Sequence, residues 1–291
     1  MMRRIFFRNL AAATGTVLTL LVILFMAFGP FIAQYDPITV NTAERLQPPS
    51  STHWFGTDEM GRDIFARVAT GSRYTIGAAV LIIGIATLLG LCFGGLCGYY
   101  GGWADEILMR VCDIFMAFPQ LLLGMLITFS LGPGLRSAII ALIISWWPTY
   151  IRLVRGMVIS IRENLYVEAA VAAGAPSRYI VSRCILPQTI PMLISRITID
   201  LGYAMVACSG LSFIGLGAQN PLPEWGAMIS ASRSYVFDAW WYGMFPGLAI
   251  FVTVLGLSLL GDAMQDAFDP QLRGTYIPHK WKKKKAQATA A

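Results

Sequence analysis

The residues that could bind nucleotides are confined to one end of this chain. All five lysines lie between positions 280 and 285. A phosphate-binding P-loop requires a lysine at the start of a helix, directly after a glycine-rich turn. Because no lysine precedes Lys280, the chain does not itself bind ATP in this way, and a Schiff-base enzyme is disfavoured for the same reason.

The residues that usually hold metal ions or act as nucleophiles are scattered. Histidine occurs only as His53 and His279. Free cysteine in apolar surroundings acts as a small hydrophobe, and the cysteines stand apart in apolar or inner positions. They are Cys92, Cys97, Cys112, Cys184 and Cys208. We therefore predict no catalytic residue, no cofactor site and no metal site in this chain.

The stretch 162–187 carries the strongest local signal. Asn164 is a favourable helix N-cap, and Glu168 would lie near the positive end of the helix that follows. Four alanines between 169 and 173 favour a helix with little bulk. Gly174 can end that helix in a left-handed conformation, and Pro176 can begin another. We predict two short helices joined by a sharp bend, suited to a partner's groove; the alternative is a plain amphipathic linker.

A long polar stretch, residues 34–74, follows the first apolar segment. A loop of this length is uncommon without a function. One interpretation is a contact with another protein, and the other is an internal salt-bridged turn. The candidate contact residues are Phe55, Gly56, Asp58, Gly61, Arg62 and Asp63.

Three glycines suggest close packing of helices. Gly90, Gly94 and Gly98 repeat every four residues and therefore lie on one helix face. Small residues at this spacing let helix backbones touch. The glycines could pack inside the chain or against a second subunit, and neither alternative is catalytic.

Two pairs of charged residues lie in or beside apolar segments. Arg196 and Asp200 stand one helical turn apart and can neutralise each other. A charge in hydrocarbon is costly, so we expect a structural pair that faces the helix bundle. We interpret Arg110 and Asp113 in the same way.

The elements that must position these residues are membrane helices. Hydrophobic residues make up 56% of the 291 residues and charged residues 13%, about half the charged fraction of a soluble domain. This composition excludes a disordered chain. Six apolar segments approach the roughly 20 residues that cross a bilayer, although the third and fourth contain Pro119 and Pro148 and span only with flanking residues. The segments are 10–33, 75–98, 114–131, 137–151, 190–216 and 243–264.

The basic residues indicate the orientation of the segments. With the N-terminus inside, the inner stretches hold 15 arginines and lysines and the outer stretches hold 6. Because positive charge favours the cytoplasmic side, both termini are predicted to be cytoplasmic. The net charge of +6 is therefore a topology signal and does not indicate nucleic-acid binding. We predict an all-α, polytopic membrane protein with six transmembrane helices.

The bend region also resembles a known motif. Glu168-Ala169-Ala170, followed by Gly174 and then by Leu186-Pro187, is similar to the EAA loop in membrane subunits of ATP-binding-cassette importers. Cys184 stands where that motif expects isoleucine and keeps the position apolar. Two further stretches, 53–73 and 211–228, resemble the outer loop and the region after the fifth helix in the peptide/nickel permease group. The resemblance covers about residues 10–275 and implies a type I importer permease fold.

This resemblance implies a set of partners. They are a second homologous permease, two ATP-binding-cassette ATPase subunits, an extracytoplasmic substrate-binding protein and the lipid bilayer, with no nucleic acid. ATP and Mg would be bound by the ATPase subunits. The EAA loop would couple this chain to the ATPases, and the outer candidate residues would contact the binding protein or the second permease. The coupling residues are Asn164, Glu168, Ala169, Ala170, Gly174, Leu186 and Pro187.

The resemblance also implies a division of the chain and a function. Residues 1–74 form an N-terminal transmembrane helix and a periplasmic loop, 75–268 form the core permease domain, and 269–291 form a basic cytoplasmic tail. The chain would form half of a pathway for a dipeptide, oligopeptide or related solute across the bacterial inner membrane. The alternatives are a nickel or metal-chelate permease of the same family, or an ion-driven secondary transporter.

Overall fold

The computed structural model describes residues 10–268, which are helical apart from the connecting segments and one isolated bridge between Thr57 and Asp63. Residues 1–9 lie outside the described residues, as do the predicted tail 269–291, His279 and the lysines. We number the helices in chain order. They are α1 (Leu10–Ile32), α2 (Ile64–Tyr100), α3 (Gly102–Met116), α4 (Gln120–Leu131), α5 (Leu135–Arg162), α6 (Leu165–Ala172), α7 (Ser177–Phe213), α8 (Trp225–Ser232) and α9 (Trp240–Phe268).

Five helices in the described range are long and apolar enough to cross a membrane: α1, α2, α5, α7 and α9. The pair α3 and α4 is bent by 86° and makes a sixth span if it is counted as one broken helix. The break falls at Pro119, which has an extended backbone and precedes α4. Proline disfavours a helical conformation in the residue before it, so the predicted third segment divides there.

Several helices continue beyond the apolar segments. Helix α2 begins at Ile64, inside the stretch that was predicted to be a loop up to residue 74, because Asp63 caps it by accepting from the backbone N–H of Ala66 at 2.7 Å. Helix α5 continues to Arg162, and α7 begins at Ser177. Hydropathy detects only the part of a helix that lies in hydrocarbon. It therefore underestimates the length of a helix that extends into water.

The three predicted packing glycines lie between α2 and α5. Gly90 and Gly94 approach the backbone of Tyr150 and Ile151, and Gly98 approaches Arg155 and Val158. A Cβ atom placed on Gly94 would lie 2.5 Å from the carbonyl oxygen of Ile151. Of the two alternatives, the structure shows packing inside the chain, which fixes α2 against the central helix α5.

We expect Gly94→Ala to destabilise the purified protein by about 1–3 kcal/mol, because the added methyl group forces two backbones apart. Gly84 lies in the same helix, but a Cβ placed there meets nothing within 4 Å. Gly84→Ala should therefore leave stability unchanged or raise it, since alanine favours a helix over glycine. Thermal unfolding in detergent compares the two variants, and equal melting temperatures would contradict the packing role of Gly94.

Candidate functional site

The predicted bend between α5 and α7 forms a compact elbow, residues 163–176 with helix α6 at their centre. Asn164 has an extended backbone, and its carbonyl oxygen accepts from the N–H groups of Val167 at 2.9 Å and Glu168 at 3.2 Å. Its side chain donates to the carbonyl of Ile161 at 2.9 Å instead of capping α6. Asn164 therefore stands at the predicted N-cap position, but its side chain is turned towards the end of α5 and its oxygen makes no capping hydrogen bond to α6.

The end of α6 is a Schellman turn. The N–H of Ala175 donates to the carbonyl of Ala170 at 3.1 Å, and the N–H of Gly174 donates to the carbonyl of Val171 at 2.9 Å. Gly174 has φ +79°, a conformation that costs a side-chain-bearing residue free energy. The predicted left-handed stop at Gly174 is confirmed, and it turns the chain sharply towards α7.

Helix α7 begins directly after Pro176, as predicted, and passes through a π-helical turn at Ile180–Ile185. Leu186 and Pro187 follow this turn and lie inside the long helix. Proline lacks an N–H, so a widened turn just before it accommodates the lost hydrogen bond. Leu186 packs near Gly95 of α2, whereas Pro187 is exposed.

Buried side chains seat the elbow on the ends of the spanning helices. Val167 of α6 is buried, as are Ile180 and Ile185 of α7, and all three belong to the main hydrophobic core. The Tyr166 hydroxyl donates to the carbonyl of Cys184 at 3.3 Å. Partial burial, together with nearby Cys184, raises the pKa of Tyr166. Movement of α6 would therefore be transmitted to α7.

The opposite face of the elbow is open to solvent. Leu165 is 81% exposed, and Val171 and Tyr179 are also exposed although they are apolar. Glu168, Ala169 and the Gly174 turn lie on the exposed surface as well. Beside this face lies an open cleft of about 600 Å³ between α6 and the end of α2. An apolar, small-residue surface next to a cleft is suited to contact with another protein.

The six outer residues predicted as a candidate partner contact lie inside the chain instead. Asp58, at 0% exposure, accepts from Arg62 Nε at 2.6 Å, and Arg67 lies 3.4 Å from the same carboxylate. Gly61 has φ +72° and approaches the backbone of Asn41. Phe55 is half-buried and stacks on Phe245 with 4.0 Å between ring centres. The alternative of an internal salt-bridged turn is therefore present around Asp58 and Arg62, whereas a contact of this segment with a partner stays a prediction.

His53 joins this buried cluster to the start of α2. Its Nδ1 lies 2.9 Å from a carboxylate oxygen of Asp63, and its Nε2 lies 3.4 Å from Glu44. Asp63 at the same time caps α2 through Ala66. The outer segment is thus a folded lobe fixed to a spanning helix, and its buried charges satisfy each other instead of facing a partner.

The predicted pair in the fifth apolar segment is present. Arg196 Nε donates to Asp200 at 2.8 Å, and the buried Asp200 also accepts from the Tyr150 hydroxyl of α5 at 3.0 Å. This pair connects α7 to α5, which is the structural role expected for it.

The second predicted pair, Arg110 with Asp113, is not formed. Asp113 instead binds Arg152, and Asp105 binds Arg155 with 2.6 Å between Arg155 Nη2 and Asp105 Oδ2. Both contacts join α3 to α5. Proximity in the sequence was a poor guide here. Arg110 lies three residues before Asp113 on α3, but Arg152 of the neighbouring helix α5 binds the Asp113 carboxylate instead.

The buried carboxylate of Glu224 was not predicted from the sequence. Glu224 caps α8 by accepting from Ala227 N–H at 2.9 Å, and it also accepts from the hydroxyls of Thr75 at 3.2 Å and Ser209 at 3.0 Å. It therefore ties α8 to α2 and α7. An acidic residue directly before the apolar run at Trp225 was the N-cap signal that could have found it.

No group of three or more metal-binding side chains occurs within residues 10–268. Two stretches of the chain match the sequence models of known protein families. Residues 90–274 match the family described as "Binding-protein-dependent transport system inner membrane component", and residues 1–49 match "N-terminal TM domain of oligopeptide transport permease C".

Similar proteins occur in several bacteria. The probable D,D-dipeptide transport system permease protein DdpC of Escherichia coli K12 is 44% identical over 90% of this chain and 88% of that protein. The dipeptide permease DppC of Alkalihalophilus pseudofirmus is 40% identical over 91% and 88%, and the glutathione permease GsiD of Pectobacterium atrosepticum is 40% identical over 93% and 90%. An inward-facing structure of the MetNI methionine ABC transporter shares the fold, with TM-score 0.57, 20% identity and coverage of 70% of this chain and 97% of that chain.

Proposed function

Because this chain belongs to the family of binding-protein-dependent transport system inner membrane components, we propose that its elbow is the site where separate ATPase subunits drive it. The chain is a multi-pass inner-membrane permease subunit of a peptide-type importer. The single observation that carries the proposal is the exposed elbow, seated through Val167, Ile180 and Ile185 on the ends of two spanning helices.

The connections of α6 make it suitable as a lever. Only Glu163 and Asn164 separate it from α5, and only residues 173–176 separate it from α7. Helices α5 and α7 extend for about 42 and 55 Å at 1.5 Å per residue. When nucleotide binding brings two ATPases together, a rigid shift of α6 would swing both helices and open the pathway to the outer side.

The further components follow from the family. We propose a second homologous permease that completes the pathway, two ATPase subunits that bind ATP and Mg, and an extracytoplasmic binding protein that delivers the cargo. The curated relatives are named for dipeptides and glutathione, which supports a short peptide as the cargo. ATP hydrolysis belongs to the ATPase subunits, and this chain contributes coupling and passage.

A photo-crosslinking amino acid at Leu165 tests the elbow contact in native membranes. We expect an adduct of this chain with an ATPase subunit, because Leu165 is the most exposed apolar residue of α6. Phe237 is the matched control, since it is 98% exposed but lies on the predicted outer side. A crosslinker at Phe237 should give no ATPase adduct.

Transport by the purified assembly tests the rest of the proposal. Uptake of a radiolabelled dipeptide should require ATP and the co-purified ATPases. Solute movement by the isolated chain without an associated nucleotidase would refute the proposal. ATP-driven uptake of a nickel chelate in place of the peptide would instead assign the alternative cargo.

A further inference from the structure

A narrow apolar cavity of about 230 Å³ lies between α1, α2, α7 and α9. Its floor is formed by buried residues that include Ala79, Met205 and Thr253. Its rim includes Ile23 of α1 and Val80 of α2, which are 50% and 51% exposed. Because these half-exposed residues lie within membrane-spanning helices, the cavity opens sideways towards lipid.

The chemistry of the cavity favours a hydrocarbon occupant over water. A bound water needs two to four polar partners. The lining offers two threonine hydroxyls. That of Thr253 already donates to the carbonyl of Ala249 at 2.7 Å, so within residues 10–268 the buried hydroxyl of Thr19 is the one polar side-chain group of the lining without a partner, fewer than a bound water needs. Apolar cavities of only about 150 Å³ stay dry and accept small hydrocarbons, so this larger cavity suits an alkyl chain.

A cation stands at the outer end of the same cavity. Arg73 Nε donates to the carbonyl of Met26, a lining residue, at 3.4 Å. Its guanidinium lies 5.8 Å from the ring centre of Phe31, near the end of α1. Arg73 is exposed, and within residues 10–268 its guanidinium forms no salt bridge with a carboxylate.

We propose that this groove binds one acyl chain of an outer-leaflet glycerophospholipid whose phosphate contacts Arg73. The two halves of the site match the two halves of such a lipid, since an apolar slot opens towards the bilayer below a cation near its surface. Arginine can extend its apolar stem along the helix while its charged head reaches the interface. The bound chain would fill the space between α1 and the core helices and hold α1 in place.

Photolabelling of the full chain in vesicles tests the site. The vesicles contain phosphatidylethanolamine and phosphatidylglycerol, with a trace of phosphatidylglycerol that carries a diazirine in one acyl chain, and mass spectrometry locates the adducts. We expect the label on the groove residues Val22, Ile23 and Val80. It should exceed the label on Leu21 and Leu24, which are exposed and lie on the opposite face of α1 from the lining residues at about 100° per residue.

Three variants separate a specific site from ordinary lipid contact. Arg73→Gln should lower the groove label about fivefold, because it removes one basic contact with the lipid phosphate. Arg136→Gln is the matched control, since Arg136 is another exposed arginine on the predicted outer side, and it should leave the groove label unchanged. Ala79→Leu should lower the groove label by filling the cavity.

The distribution of the photolabel on the wild-type chain and the amount of groove label on Arg73→Gln decide the question even if Ala79→Leu fails to fold. Equal label on both sides of α1, or a groove label that does not respond to Arg73→Gln, would overturn the proposal. So would a groove that is labelled in the isolated chain but covered by a second permease in the assembled complex.

Discussion

Gly174→Trp is expected to lower substrate-stimulated ATP hydrolysis and uptake by about tenfold or more while membrane insertion continues. Gly174 lies exposed at the tip of the elbow with φ +79°, and a Cβ placed there meets nothing within 4 Å. An indole at this position would project into the surface that we propose the ATPase grips. The positive φ adds about 1–2 kcal/mol of local strain for any side chain. Hydrolysis and uptake by the reconstituted assembly are the measurements.

Two controls separate bulk from strain. Gly174→Ala introduces the strain without the bulk, so its activity should lie between those of wild type and Gly174→Trp. Gly132 also has a positive φ of 90° with open space around it, but it ends α4 on the predicted outer side. Gly132→Trp should retain most of the activity. Normal coupled hydrolysis in Gly174→Trp would remove the elbow from the mechanism.

Replacement of Glu168 by lysine tests the same surface through charge. Glu168 lies exposed in the first turn of α6, where the partial positive charge at the helix N-terminus attracts its carboxylate. Glu168→Lys reverses that interaction and presents a cation to the partner. We expect coupled hydrolysis to fall strongly with insertion unchanged, whereas Glu163→Lys, just outside the helix, should have the smaller effect.

Asp58→Asn is expected to destabilise the chain by about 3–5 kcal/mol, because it removes a carboxylate shared by the buried Arg62 and Arg67. Of these two arginines, only Arg62 keeps another carboxylate of residues 10–268 within 4 Å, that of Glu59 at 3.3 Å. Asp58 accepts from Arg62 Nε at 2.6 Å and from the N–H groups of Met60 at 2.8 Å and Arg62 at 3.0 Å. It also lies 3.4 Å from Arg67. The amide keeps the shape, but it loses the charge and replaces one acceptor oxygen with an NH2 group that faces other donors, so the cost combines lost charge with a lost hydrogen bond. Thermal unfolding of the purified protein, or its yield in membranes, measures the loss.

Asp36→Asn is the matched control on the same outer segment. Asp36 is exposed and accepts from the N–H and hydroxyl of Thr39 at 2.7 and 2.8 Å, which lowers the pKa of its carboxyl. Since water already solvates this side chain, the substitution should leave the melting temperature nearly unchanged. If Asp58→Asn proved as mild as Asp36→Asn, the outer lobe would not depend on its buried charges.

The membrane class and the elbow could be predicted from the sequence because both depend on local chemistry. Apolar runs reveal spanning segments whatever lies beside them. The bend at Gly174 follows from a glycine after a run of alanines, and the break at Pro119 follows from the geometry of proline. The same local reasoning ended α5 too early and began α7 too late, because hydropathy does not detect the water-exposed turns of these two helices.

The contacts between distant segments could not be predicted in the same way. Sequence spacing put Gly90, Gly94 and Gly98 on one face, but only the fold shows that α5 lies against that face. Asp113 turned out to bind Arg152, although Arg110 is nearer along the chain. Such choices depend on which helices the rest of the chain brings together.

By itself, then, the sequence determined that this is a multi-pass membrane protein with a small-residue elbow, since composition, apolar runs and turn residues act over a few positions. The resemblance of that elbow to the EAA loop indicated the permease family. Only the tertiary structure decided that the outer charges around Asp58 face inward and that an apolar groove lies next to Arg73. The physical reason is that burial and charge pairing are set by neighbours far away in the chain, and one sequence read alone does not say which neighbours these are.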